Sequence, residues 1–299
     1  QKICYDVCEI IIFLHPINIM KNFTLKILFF LISLNFVLAQ NNQRNPLEYE
    51  SILSGTFGEL RTNHFHSGID IKTKGKEGSK VYAFSKGYVS RIKISKGGYG
   101  KAIYIKHNDG KTTVYAHLKR FSKKIETIVK NEQYQKEDYE IEIFPAVNEI
   151  EILDNELIAY SGNTGGSSGP HLHFEIRDIN QKPLNPLNYG IDVKDSKTPS
   201  ILGLRIYSLY KNREIKDYKN LTLYKKDKNT YITDTINSIG TLGFGIQTID
   251  RQDLASNKNG VYKINTYMDN DTLLSIDFSK FSFKETKHIN RYIDYSCLL

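Results

Sequence analysis

The segment His171-Leu172-His173 puts two imidazoles at alternate positions of a short apolar run. In an extended strand alternate side chains share a face, so His171 and His173 point the same way while Leu172 turns to the opposite layer. Upstream, His66-Ser67-Gly68-Ile69-Asp70 supplies a third imidazole and a carboxylate. A catalytic zinc site takes three protein ligands and leaves its fourth position to water. His66, Asp70 and one histidine of the pair meet that count. The other histidine of the pair is then a candidate acid or base.

Of the eight histidines, His64, His66, His107, His117, His171 and His173 fall between positions 64 and 173. A lone histidine is usually an ordinary hydrogen-bonding residue, and His64 and His107 read that way singly. The others cluster with a carboxylate, which favours a shared site. Zinc held there would lower the pKa of a bound water and polarise a scissile carbonyl. A neighbouring neutral imidazole would take the water's proton and return it to the leaving amine. Strand alternation makes His171 available for this, and His117 would stabilise the developing oxyanion from another strand. The reverse assignment fits the sequence equally well. Glu175 shares the face of His171 and His173; it reads as an acceptor that orients an imidazole or as a solvated strand residue, the second slightly favoured. Gly162, Gly165, Gly166 and Gly169 permit tight turns and positive φ just before the His171 strand.

Read in chain order, five segments resemble the lysostaphin-like zinc metallopeptidases, endopeptidases of bacterial peptidoglycan. They are Phe57-Gly58 with Arg61, His66 to Asp70, Tyr115-Ala116-His117-Leu118, Ser161-Gly162-Asn163-Thr164-Gly165, and Gly169-Pro170-His171-Leu172-His173-Phe174-Glu175. The resemblance implies an antiparallel β-sheet metallopeptidase domain over residues 46–190. It also implies one Zn2+ per chain held by His66, Asp70 and His173, with His171 and His117 working on the substrate. One stretch departs from the family: residues 119–157 form an insertion rich in Lys and Glu, among them Lys123, Lys124, Glu126, Lys130, Glu132, Lys136 and Glu137. That charge argues against a core role. The two ends of the insertion adjoin the His117 strand and the glycine loop, so it is expected to wall or cover the groove.

Positioning these residues falls to short β-branched and aromatic runs separated by Gly, Asn and Asp turns. Lys80–Phe84, Gly87–Ile94, Ala102–Lys106, Thr112–Ala116 and Leu172–Ile176 read as strands of stacked antiparallel sheets. Asn108-Asp109-Gly110 is a hairpin signal that would carry His107 and His117 on adjacent strands, with His107 supporting the hairpin. A boundary falls near Asp195–Pro199. Beyond it, runs at 221–224, 241–246, 260–264 and 273–278 suggest a smaller β-sandwich over residues 196–299, an incomplete one if the strand-like Phe281–Phe283 ends it. The fold class is mainly β throughout.

At 299 residues the chain is long enough for two cores. Residues 20–39 have a basic start, an apolar middle and a small residue before Gln40, as a cleaved secretory signal does. Their apolar core is too short for a bilayer span. Residues 1–19 read as an over-extended reading frame. Removal through Ala39 would leave Cys297 as the only cysteine, so no internal disulfide is expected. It would also move the net charge from +8 to +7, since Lys2, Lys21 and Lys26 leave with Asp6 and Glu9. The basic residues are dispersed, without a dense run interleaved with stacking aromatics, which favours an anionic cell wall or lipid surface as partner over nucleic acid. Taken together, the sequence reads as an exported zinc endopeptidase of the periplasm or cell envelope, with peptidoglycan peptides as substrate. A non-hydrolytic cell-wall-binding or amidase-activating module and a zinc peptidase of Gly-rich proteins are the alternatives. Loss of metal ligands would mark the first of these, and here all are present.

Overall fold

Polar and apolar side chains alternate along β13 (His171–Arg177), and this decides how the central sheet sits. Leu172, Phe174 and Ile176 turn to one layer, while His171, His173, Glu175 and Arg177 share the other face. The computed structural model describes residues 45–212, 214–291 and 293–295, all within one compact unit, Gln43–Leu299. The signal-like segment 20–39, the residues before it and Cys297 lie outside the described residues.

The strands that build the central sheet with β13 are β1 (Leu53–Gly55), β4 (Ile69–Lys72), β6 (Gly87–Ile94), β7 (Lys101–Lys106), β8 (Thr112–Ala116) and β10 (Ile141–Ile143). They run in the order β1-β4-β13-β8-β7-β6-β10, with β11 (Glu151–Ile152) also on β6 and β14 (Pro183–Leu184) on β13, every pairing antiparallel. A second sheet of β5 (Lys80–Tyr82), β12 (Leu157–Ser161) and β9 (Leu118–Phe121) contributes Val81, Ile158 and Phe121 to the core. Ile69, Ile71, Ile103, Ile105, Tyr115, Leu172 and Phe174 join them from the central sheet, each fully buried. On the opposite face of the central sheet Ala102, Val114 and Ala116 form a second small cluster with Tyr104, on which Tyr99 packs. The β7–β8 hairpin turns at Gly110 (φ 81°), with His107 and His117 just past the ends of β7 and β8 rather than on them; His107 ties the hairpin to the start of β6, bonding the Lys86 carbonyl at 2.8 Å and Thr113 Oγ1 at 2.9 Å.

The insertion contributes strands to the central sheet. Helix α1 (Lys123–Lys136) buries Ile125 and Val129, and its charged residues occupy the outer side. After it, β10 and β11 pair with β6, burying Ile141, Ile150 and Ile152. The expectation that its charge excludes a core role fails, because buried isoleucines spaced among the charges provide enough apolar area for docking.

Beyond residue 196 the chain is β-rich, but the expected sandwich takes another form. β15 (Ser200–Leu209) pairs with β16 (Ile215–Leu221) and β19 (Thr241–Ile249) in a three-stranded sheet. Two hairpins accompany it, β17 (Tyr224–Lys225) with β18 (Tyr231–Ile232) and β20 (Lys263–Met268) with β21 (Asp271–Asp277). Phe281–Phe283 is not a strand. The segment instead returns to the central sheet, where Phe278 and Phe281 pack against its core and Gln252 Oε1 accepts the Leu53 N–H at 3.1 Å. No helix among the described residues is long and apolar enough to cross a membrane.

Candidate metal centre

Register brings the ligand candidates together. His173 sits opposite Asp70 across β13 and β4 and opposite Ala116 across β13 and β8. His66 enters just after the small hairpin of β2 (Leu60–Arg61) and β3 (His64–Phe65). Gly68 is required between them, because a Cβ there would fall 2.3 Å from the Phe174 carbonyl oxygen. His66 Nε2, His173 Nδ1 and Asp70 Oδ1 then form a triangle with sides of 3.1, 2.9 and 3.1 Å.

The proton positions on that triangle follow from the opposite edges of the rings. His66 Nδ1 lies 2.8 Å from the Thr56 carbonyl oxygen, which can only accept, so Nδ1 carries the proton and a neutral ring has a bare lone pair on Nε2. His173 Nε2 donates to Glu175 Oε1 at 2.9 Å, leaving Nδ1 bare in the same way. Two lone pairs and a carboxylate oxygen at such distances repel one another unless a cation or proton lies between them. Zinc ligands about 2.0–2.1 Å from a tetrahedral ion are spaced about 3.3 Å apart, close to the observed edges. The donor set therefore fits zinc: two borderline nitrogens, one oxygen and an open side.

Charges around the triangle reinforce that fit. Burial pushes the Asp70 carboxyl up, but in the metal-free site, where protons on the facing ring nitrogens take the place of a cation, hydrogen bonds to His171, His173 and His66 outweigh it and hold the group well below the carboxylate range. Arg61 binds the other Asp70 oxygen, Oδ2, at 3.2 Å, with Gly55 giving the space for both. Burial pulls His173 down, yet Asp70 and Glu175 raise it to about 9 in the metal-free site. A proton and a metal ion compete for the same lone pair.

Glu175 is fully buried, which corrects the reading of it as a solvated strand residue. Its carboxylate accepts from His173 Nε2, from Ser67 Oγ at 2.6 Å, from Arg177 Nε at 2.6 Å and from the Tyr99 hydroxyl. Desolvation raises Glu175, and the Arg177 charge with the His173 bond reverses it, so the group stays ionised. Burial and the Glu175 charge push Tyr99 well above its ordinary value, keeping its hydroxyl a donor. Ser67, Tyr99 and Arg177 went unnoticed in the sequence. Only Arg177 left a signal, being next on the period-two face of β13.

His117 and His171 stand beside the triangle with ring centroids 4.8 Å apart. His117 has φ 56° at the β8–β9 corner, and its Nδ1 donates to the Thr164 carbonyl at 2.8 Å. His171 Nδ1 donates to the Gly169 carbonyl at 2.8 Å, and its Nε2 lies 3.4 Å from Asp70 Oδ1. In each case the backbone fixes the tautomer and leaves Nε2 to accept. Burial, helped by the charge at His173, lowers His117 to about 4, so it is neutral at working pH. Of the four loop glycines only Gly165 has positive φ (75°), whereas Gly162 is there for close approach, a Cβ falling 2.4 Å from Lys119 N. His64 is exposed, and its Nδ1 bonds the Thr62 carbonyl at 2.9 Å.

Two imidazoles and one carboxylate converging on the polar face of an antiparallel sheet define a candidate mononuclear metal centre. Residues 64–134 match the model of Peptidase family M23, so the chain carries a domain of that lysostaphin-like family. It is 35% identical over 151 residues to the DD-carboxypeptidase/endopeptidase Mpg of Neisseria meningitidis serogroup B, which covers 49% of this chain and 28% of that relative. It is also 35% identical over 134 residues to the murein hydrolase activator NlpD of Escherichia coli, covering 45% of this chain and 28% of the relative. The chain thus spans less than a third of the length of these relatives. Among solved structures, the catalytic domain of the antimicrobial peptidase lysostaphin from Staphylococcus simulans aligns with TM-score 0.34 and 21% identity, over 46% of this chain and 91% of that one.

Proposed function

We propose that this protein is an exported zinc-dependent endopeptidase of the cell envelope that hydrolyses peptide bonds in peptidoglycan, with one zinc ion per chain on His66, Asp70 and His173. The observation that carries this reading is the triangle of donor atoms with edges of 2.9–3.1 Å, each imidazole locked by a partner on its far side. Zinc bound there would acidify water and polarise a substrate carbonyl. His117 and His171 present unprotonated Nε2 atoms, one to take a proton from the attacking water and one to face the developing oxyanion. Which histidine does which is not fixed by their positions, because both are held through Nδ1 to a carbonyl. The accepting histidine later donates its proton to the leaving amine. Peptidoglycan as substrate is supported by the match to peptidase family M23 and by the relatives' names, and the basic net charge suits an anionic wall.

The test is digestion of purified sacculi by the zinc-loaded full chain, with mass analysis of the released fragments. Newly cut peptide bonds, absent with the His117→Ala variant, are expected. Intact sacculi under conditions where the protein stimulates an added amidase would instead favour the activator reading, which the NlpD relative brings in.

A further inference from the structure

Residues 260–288 supply none of the side chains of the metal centre, yet they hold the chain around His66 at four points. Gly260 N donates to Thr56 Oγ1 at 3.1 Å, and the Thr56 carbonyl is the acceptor that orients His66. Phe278 lies on Gly58, where a Cβ would fall 2.4 Å from the ring, and the Gly58 N–H donates to the His66 carbonyl at 2.9 Å. Phe281 packs on Phe57 and Phe65 with centroids 5.1 and 5.6 Å away. Thr286 Oγ1 accepts the N–H of Phe65, the residue before His66, at 2.7 Å. On the other side of the centre the Phe283 ring lies 4.8 Å from the Arg177 guanidinium, the group that holds Glu175 and through it His173.

These contacts answer a local weakness. The arm that carries His66 is a hairpin of two residues per strand, Leu60–Arg61 and His64–Phe65, with Leu60 and His64 exposed. A two-stranded ribbon that short does not hold its shape in water. It must nevertheless hold His66 Nε2 within 3.1 Å of Asp70 Oδ1 and of His173 Nδ1. We propose that residues 260–288 form a brace that preorganises the metal centre, with Thr286 and Phe278 as its positioning residues. The brace rests on the reading of His66, Asp70 and His173 as a zinc site.

The test measures zinc affinity of the metal-free full chain by competition with a chromophoric chelator, alongside the urea midpoint of each variant. Thr286→Val removes the acceptor at nearly constant volume, Phe278→Ala frees Gly58, and Thr286→Ser keeps the hydroxyl. Thr286→Val and Phe278→Ala should each weaken zinc binding about 10-fold, the lower end of what outer-sphere changes cost, while Thr286→Ser stays within about twofold of the parent. Folded Thr286→Val and Phe278→Ala proteins that both match the parent's affinity would overturn the brace. A parent that binds zinc no better than His66→Ala would overturn the zinc site and the brace together. A parent that binds zinc but leaves sacculi intact would sink the peptidase reading alone, since affinity and not turnover reports on the brace.

Discussion

His173 and Glu175, two positions apart on one strand, are joined by a 2.9 Å hydrogen bond from Nε2 to Oε1, and Glu175 has no exposed surface. The bond fixes which nitrogen of His173 faces Asp70, and a buried carboxylate behind the ring raises its basicity as a ligand. Replacing Glu175 by Gln preserves the shape and removes the charge. Zinc affinity should fall about 10- to 100-fold, as for other outer partners of ligating histidines. Equilibrium competition against a chelator checks this, and an unchanged affinity would mean that Glu175 only fills space.

The same carboxylate makes Arg177 a stability residue. Arg177→Met leaves a buried anion without its guanidinium, a loss of about 3–5 kcal/mol, whereas Glu175→Gln with Arg177→Met removes both charges and should recover much of it. Urea denaturation of the two variants gives the comparison. A double variant no more stable than Arg177→Met would refute the pairing argument.

How far the sequence reaches is visible in this cluster. His66, Asp70, His173, His117 and His171 were legible because strand period and motif order are local properties, and the structure brings those five together. The environment of Glu175 was not legible. A charge on a strand looks solvated until Ser67 and Tyr99 arrive from two other places in the chain and close over it with Arg177 of the same strand. The core role of the insertion was not legible for the same reason: its many charges mask the few apolar residues that dock it, such as Ile125, and these acquire meaning only from the surface they meet, as Phe278 does in residues 260–288.

Separating metal ligands from residues that act on substrate needs two readouts. Asp70→Ala should reduce bound zinc from one ion per chain to nearly none. His117→Ala and His171→Ala should retain zinc and lose about 100-fold or more in turnover on sacculi, the scale of a lost proton-transfer or oxyanion contact. Elemental analysis and digestion on the same preparations decide the matter. Full zinc in Asp70→Ala would remove that residue from the ligand set, and lost zinc in His171→Ala would add His171 to it.

His117 also sets a pH dependence. Burial, with the charge at His173, takes it from 6.5 to about 4, so below pH 6.5 the unfolded chain binds a proton that the folded protein does not. Its contribution to stability is therefore complete above pH 6.5 and is lost as the pH falls toward 4, with a slope of at most about 1.4 kcal/mol per pH unit. Urea midpoints of the parent should decline faster over that window than those of His117→Gln. Parallel declines would show that the imidazole titrates alike in both states.

The insertion offers the last prediction, and it now runs against a lid. Ile125 and Val129 of α1 are buried, and β10 and β11, which bury Ile141 and Ile152, pair with β6, three strands away from β13 in the sheet order. Truncating Ile125 to Ala opens a cavity in a packed layer and should cost about 2–5 kcal/mol. Replacing residues 123–152 by a tight turn would uncover Val89, Ile92 and Ile94 and leave β6 as a bare apolar edge, prone to pairing with another chain. The shortened protein should aggregate or melt well below the parent, and at temperatures where it stays folded its zinc content and its relative rates on sacculi and on small muropeptides should be unchanged. Those rates separate the two roles directly: a cover would slow crosslinked sacculi more than soluble peptide, whereas a buttress at the far edge of the sheet leaves their ratio alone. A stable truncated protein with a shifted ratio would restore the lid and remove the insertion from the core.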